Sequence, residues 1–103
     1  MEIGSENWER VIREGAHQLG VVAPDAALRG LGLHAAEMVR FNRKMNLTTI
    51  TDPFEIATKH VIDSLAAGTC LPKTGTVLDI GSGGGFPGIP LKLVFPDLNV
   101  TLI

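Results

Sequence analysis

Cysteine is nearly absent from this sequence: Cys70 is the only one among 103 residues, so no disulfide can form within the chain. Long apolar runs are missing too, since none approaches the roughly 20 residues that span a bilayer. No basic leader followed by an apolar stretch opens the chain, as a secretory signal peptide would. These absences argue against a disulfide scaffold and a membrane-spanning protein, and we expect a cytoplasmic protein.

A strong excess of one charge is also lacking. Nine basic and eleven acidic side chains give a formal net charge of -2, which by itself does not indicate a nucleic-acid binder. The hydrophobic share of 45% is high enough for a folded domain. We find no metal-ligand spacing and no Ser-His-Asp or Cys-His arrangement. The sequence therefore predicts no metal site, and no catalytic residue is assigned.

Two amphipathic helices are predicted in the first part of the chain, one over residues 5–19 and one that begins near Pro24. Apolar residues recur in both at helical spacing. Gly20 is the predicted end of the first helix. The predicted buried faces are Trp8, Val11, Ile12, Ala16 and Leu19 in the first helix, and Leu28, Leu31, Ala35, Met38 and Asn42 in the second.

A third helix is predicted from Asp52 to Ala67, ending at Gly68. Asp52 can cap its first turn, which proline favours at the next position. Its predicted buried stripe is Phe54, Ala57, Val61 and Leu65.

His60 and Asp63 lie three residues apart on a flank of this third helix, where they could share a hydrogen bond. Spacing alone leaves two interpretations of His60 open. It is either a packing histidine at a helix junction or a functional side chain.

The stretch TVLDIGSGGGFPGIPL, residues 76–91, organises the rest of the chain. A short apolar run predicts a buried strand, a glycine-rich loop follows, and prolines introduce a helix. A dinucleotide-binding loop has the pattern G-x-G-x-x-G, but Phe86 stands where its third glycine would be. Asp79, two residues before Gly81, would repel a pyrophosphate and could instead hold a cationic amine. The loop therefore favours a ligand with an amino group and no phosphate.

The remaining residues predict a second strand over residues 99–103, parallel to the first, with a right-handed crossover. We expect a helical segment over residues 1–72 and an α/β segment over residues 73–103. Two strands do not make a stable sheet alone, and no acidic residue follows Leu98 to take ribose hydroxyls. We therefore expect an amino-terminal fragment of a longer protein, with a complete small domain as the alternative.

The pattern D-x-G-x-G-x-G from Asp79 to Gly85 resembles motif I of the Rossmann-like methyltransferases, which bind S-adenosylmethionine. Three pieces extend the likeness: FNRKMNLTTITDP (residues 41–53), KHVIDSL (59–65) and VLDIGSGGGFPGIPLKLVFPDLNVTLI (77–103). With them the chain, from about residue 28 onward, resembles the small-subunit ribosomal RNA guanine-N7 methyltransferase G family, also called glucose-inhibited division protein B.

The resemblance implies an α/β fold in which N-terminal helices precede the first β-α-β unit of a Rossmann-like S-adenosylmethionine-dependent methyltransferase, here truncated. It implies methyl transfer to N7 of a guanine in 16S rRNA, as naked RNA or in the small ribosomal subunit. The implied residues fall into two groups. Those that contact the cofactor are Asp79, Gly81, Gly83, Gly85 and Phe86, and those that face the active site or RNA are His60, Asn46, Arg43, Lys44 and Lys59.

For the 103-residue chain alone we expect no transfer activity, and for the full-length protein a monomer. Two other classes stay open. One is a non-catalytic module that self-associates through exposed sheet edges. The other is a nicotinamide-dinucleotide-binding oxidoreductase domain, against which Phe86 and Asp79 count.

Overall fold

The computed structural model of the chain describes residues 1–45, 52–71, 75–79 and 88–102. These form helices α1 (Glu6–Gln18), α2 (Asp25–Met45) and α3 (Pro53–Glu55), a π-helical segment (Ile56–Ile62), helix α4 (Asp63–Gly68), strand β1 (Gly75–Asp79), helix α5 (Gly88–Val94) and strand β2 (Leu98–Leu102). The result is a helix-rich α/β structure that is compatible with a truncated methyltransferase domain.

Helix α1 begins and ends where local chemistry stops the backbone. The Ser5 hydroxyl accepts the Trp8 amide N–H at 3.2 Å, which caps the amino end. At the carboxyl end Gly20 has φ +76°, and the Val21 N–H reaches back to the Ala16 carbonyl at 2.8 Å. Glycine takes this left-handed backbone without strain, so the predicted end is confirmed.

The predicted buried faces of the first two helices are largely confirmed. Trp8, Ile12 and Ala16 are buried on α1, while Val11 and Leu19 are partly buried against the same core. Leu28, Leu31, Ala35 and Met38 are buried on α2. The side chain of Asn42 lies outside the described residues.

The third helix starts as predicted, with the Asp52 carboxylate accepting the Glu55 amide N–H at 3.1 Å. Its predicted stripe is wrong at one position, because Phe54 is 51% exposed and Ile56 is fully buried instead. The cause is the π-helical segment, whose backbone bonds run to the fifth residue rather than the fourth. This geometry places Ile56 and Val61 together on the buried side, and it was not predicted.

Strands β1 and β2 pair in parallel, with Gly75 opposite Leu98 and Asp79 opposite Leu102. The predicted strand, helix and parallel strand are therefore confirmed, although β2 begins at Leu98 and Ile103 lies outside the described residues. Helix α5 crosses between the two strands. Its residues Leu91 and Val94 are buried, as is Leu98 at the start of β2.

One core joins the helices at the front of the chain. Trp8 is fully buried, and its indole N–H donates to the Pro53 carbonyl at 2.9 Å, which ties α1 to α3. Helix α5 packs on both α2 and α4. The division at residues 72 and 73 stays a prediction.

No helix within the described part of the chain is both long and apolar enough to cross a membrane.

Candidate functional site

The predicted cofactor loop joins two described elements. Strand β1 ends at Asp79 and helix α5 begins at Gly88, so residues 80–87 connect the carboxyl end of the strand to the helix. Because β1 and β2 are parallel, both carboxyl ends lie at the same edge of the sheet. That edge is where open α/β sheets bind their ligands.

The loop residues themselves, Gly81, Gly83, Gly85 and Phe86, lie outside the described residues, as does Asn46. Asp79 is placed by its backbone as the last residue of β1.

His60 lies in the π-helical segment and is partly buried, with its Nε2 atom enclosed. Burial lowers the pKa of the imidazole from its usual 6.5, and the nearby Asp63 carboxylate opposes part of that shift by raising it. Since burial has the larger effect, the neutral ring is favoured at neutral pH. The predicted hydrogen bond between these two residues stays a prediction.

The backbone at His60 is fixed from the next turn. The buried Ser64 hydroxyl donates to the His60 carbonyl at 2.5 Å. Such a bond back along the helix satisfies a carbonyl that the irregular turn would otherwise distort. π-Helical turns occur frequently at functional sites, which favours the functional interpretation of His60 over simple packing.

The basic residues predicted to face RNA are distributed over two elements. Arg43 and Lys44 lie in the last turn of α2, and Lys59 lies next to His60 in the π-helical segment. The Lys59 ammonium lies 3.4 Å from the Glu55 carboxylate, and both side chains are about half exposed. An exposed pair of this kind contributes at most about 1 kcal/mol, so it leaves Lys59 available to another anion.

The opposite edge of the sheet is closed by a lysine. The Lys92 ammonium donates to the Pro96 carbonyl at 2.6 Å and to the Leu98 carbonyl at 2.8 Å. These two bonds hold the turn between α5 and β2. An open groove of about 510 Å³ lies at this same end, lined by Val94, Phe95 and residues of the α1–α2 connection. It is therefore at the far end of α5 from residues 80–87.

Among the described residues, no group of three or more histidine, cysteine or acidic side chains could hold a metal ion.

Two features were missed by sequence reasoning. The π-helical segment carries both Lys59 and His60, and the five-residue spacing of the apolar Ile56 and Val61 was the available signal. The second feature is the packing of α5 against glycines of α2 and α4, which no local pattern reveals.

The family model described as "GidB: rRNA small subunit methyltransferase G" matches residues 28–103. The chain belongs to this family. The match begins where the resemblance in the sequence begins, and it includes the third helix, the glycine-rich loop and both strands.

Curated members of the methyltransferase G family align with most of the chain. The proteins named "Ribosomal RNA small subunit methyltransferase G" include one from Geobacter sp. (strain M21), 47% identical over 98 residues, which is 95% of this chain and 45% of that protein. One from Anaeromyxobacter sp. (strain Fw109-5) is 51% identical over 80 residues, 78% of this chain and 37% of that protein. One from Stutzerimonas stutzeri (strain A1501) is 38% identical over 104 aligned positions, 100% of this chain and 48% of that protein. The chain thus spans less than half the length of these methyltransferase G proteins.

Proposed function

We propose that this chain is the amino-terminal part of an enzyme that transfers a methyl group from S-adenosylmethionine to N7 of a guanine in 16S rRNA. The observation that carries the proposal is the family match over residues 28–103, which includes the glycine-rich loop and both strands of the parallel β-α-β unit.

The residues that flank the loop have the chemistry that this cofactor requires. Asp79 ends β1 at the ligand-binding edge, and a carboxylate there can hold the cationic amino group of the cofactor or orient the loop. Gly81, Gly83 and Gly85 let a backbone approach a ligand closely, and with Phe86 they would line the methionine and adenosine portions. S-Adenosylmethionine carries no phosphate, which agrees with an acidic residue at this position.

The proposed reaction needs no general base. The N7 lone pair of guanine forms the new N–C bond, the C–S electron pair moves to sulfur, and no proton is transferred. When bound, S-adenosylmethionine supplies an already activated methyl group. The protein therefore contributes mainly alignment, which can lower a barrier by roughly 7–11 kcal/mol in well-oriented systems. The guanine ring becomes cationic, so carboxylates or carbonyls near N7 would stabilise the transition state.

His60 is assigned a place facing the active site. Its lowered pKa keeps the imidazole neutral at neutral pH, so it can donate or accept a hydrogen bond without adding positive charge beside a ring that becomes cationic. Arg43, Lys44 and Lys59, together with Asn46, are assigned to RNA phosphates. Lys59 supports this assignment through its exposure and its weak pairing with Glu55.

The proposal extends to the whole protein: a cytoplasmic monomer that acts on 16S rRNA or on the small ribosomal subunit. The 103-residue chain alone is expected to be inactive. Folds of this kind take the ribose hydroxyls with an acidic residue after the second strand, and none follows Leu98.

The proposal can be tested in a hybrid that joins residues 1–103 to the remaining carboxyl-terminal part of the Geobacter sp. (strain M21) relative. The purified hybrid is incubated with S-adenosylmethionine carrying a tritiated methyl group, and with either naked 16S rRNA or small ribosomal subunits. Label should enter the RNA, and Gly83→Arg, which adds a large cation to the loop, should abolish incorporation. A folded hybrid that transfers no label to either substrate would contradict the proposal. Tight binding of NADH in a fluorescence titration would favour the oxidoreductase class instead.

A further inference from the structure

Helix α5 approaches the two helices beneath it unusually closely, and a glycine lies at each point of contact. An ideal Cβ atom added to Gly30 of α2 would lie 2.9 Å from Cδ2 and 3.2 Å from Cδ1 of Leu93. One added to Gly68, the last residue of α4, would lie 2.6 Å from Leu91 Cδ2 and 2.6 Å from Phe95 Cε2. Real Cβ atoms essentially never come within 3.0 Å of another residue, so α5 could not keep this position against alanine.

Neither glycine is explained by its own backbone. The glycines with positive φ are Gly4, Gly20 and Gly75 among the described residues, and Gly30 and Gly68 are not among them. A glycine inside a helix costs about 1 kcal/mol relative to alanine. Close approach of α5 is therefore what the missing side chains permit, and the atoms they admit are well packed, since Leu91 is 2% exposed.

The contacts matter for the loop because of where α5 begins. Gly88, the first residue of α5, directly follows residues 80–87, and Asp79 at the end of β1 directly precedes them. The loop is thus anchored at one end by the sheet and at the other by a helix whose position depends on α2 and α4. A displacement of α5 changes the gap that residues 80–87 must bridge.

We propose that Gly30 and Gly68 are positioning residues for the cofactor loop: they let α2 and α4 hold α5 close, and the placement of α5 sets the geometry of residues 80–87 for the methyl donor. The helical front of the chain then determines cofactor affinity without touching the cofactor. This inference rests on the proposed function, because it assigns the loop to S-adenosylmethionine.

Gly30 offers a matched control and a matched rescue. Gly32 lies in the same helix, but a Cβ atom there would meet the Gly4 backbone at 3.1 Å and the Trp8 ring at 3.7 Å, away from α5. Gly30→Ala and Gly32→Ala are therefore the same chemical change in one helix, and only the first reaches α5. Leu93→Ala removes every atom that a Cβ at Gly30 would meet.

The test is calorimetric binding of S-adenosylhomocysteine to the hybrid described above. Gly30→Ala should weaken binding about tenfold, equivalent to about 1.4 kcal/mol and within the usual cost of overpacking. Gly32→Ala should bind like the parent, and Gly30→Ala with Leu93→Ala should recover most of the lost affinity. Gly68→Ala supplies the second contact and should weaken binding as well. Unchanged affinity in both Gly30→Ala and Gly68→Ala would overturn the inference, and so would a double variant that is not rescued.

A readout without ligand separates this inference from the proposed function. In the 103-residue chain, the NMR amide resonances of Gly81, Gly83 and Gly85 should shift in Gly30→Ala, return in the double variant with Leu93→Ala, and stay in place in Gly32→Ala. If the parent hybrid binds no S-adenosylhomocysteine, the proposed cofactor is wrong, and these resonances still decide whether α5 positions the loop. Resonances that move equally in both alanine variants would contradict positioning through α5.

Discussion

Replacing Trp8 by phenylalanine should destabilise the chain by about 2–3 kcal/mol. Trp8 is fully buried at the centre of the helical core, and its indole N–H donates to the Pro53 carbonyl at 2.9 Å. Loss of that hydrogen bond costs about 1 kcal/mol. The ring atoms that phenylalanine does not replace leave a cavity worth about 1–2 kcal/mol, less than the roughly 3–5 kcal/mol of complete truncation to alanine.

The assay is urea unfolding followed by far-ultraviolet circular dichroism, because Trp8 is the only tryptophan and its removal eliminates the fluorescence signal. Total stabilities of about 5–15 kcal/mol are usual for a domain, so the midpoint should fall clearly while the slope stays constant. Val22→Ala is the control, since Val22 is 82% exposed and its loss should change the free energy of unfolding by less than about 0.5 kcal/mol. A change below about 1 kcal/mol in Trp8→Phe would refute the claim that Trp8 ties α1 to α3.

Three further outcomes are expected from single contacts. Lys92→Met should cost about 1–2 kcal/mol in chemical unfolding because two charge-assisted bonds are lost, whereas Lys59→Met, which breaks only an exposed pair, should cost less than about 1 kcal/mol. The His60 pKa is lower in the folded chain than the usual 6.5, so stability contributed by the neutral ring is complete above pH 6.5 and decreases as the pH falls towards the folded value; His60→Gln should flatten this part of the pH profile. In an NMR titration Asp63→Asn should lower the His60 pKa further, and a rise would contradict the assigned cause. Asp52→Ala should cost about 1 kcal/mol in thermal unfolding through loss of the helix cap, and Asp52→Asn should retain most of it.

Local sequence chemistry was sufficient for most element boundaries. Gly20 and Asp52 determine helix ends through contacts within a few residues, so their effects are readable from the sequence. The strand, loop, helix and strand of the second part are equally local, because a short apolar run and the prolines after the glycines specify them without distant partners.

The missed features depend on contacts that are distant in sequence. The π-helical turn packs against α1, where a Cβ atom at Gly15 would meet the Ile62 side chain, and this packing selects Ile56 rather than Phe54 for burial. Gly30 lowered confidence in a helix when considered locally, yet its partner Leu93 lies on α5. Helical spacing cannot reveal such a pair.

The candidate site divides in the same way. The cofactor residues from Asp79 to Phe86 are contiguous, so their pattern indicates a methyl donor from sequence alone. The state of His60 required the structure, because the desolvation that lowers its pKa comes from neighbouring elements and not from the adjacent Asp63.

The most direct test of the central claim is to map the modified atom. Small ribosomal subunits methylated by the hybrid are treated with borohydride and then aniline, which cleaves RNA at N7-methylguanosine, and the 16S rRNA is analysed by primer extension. The account predicts one new stop at a guanine, dependent on S-adenosylmethionine and absent with Gly83→Arg. Incorporated methyl label that leaves no aniline-sensitive guanine, or that persists with Gly83→Arg, would contradict it.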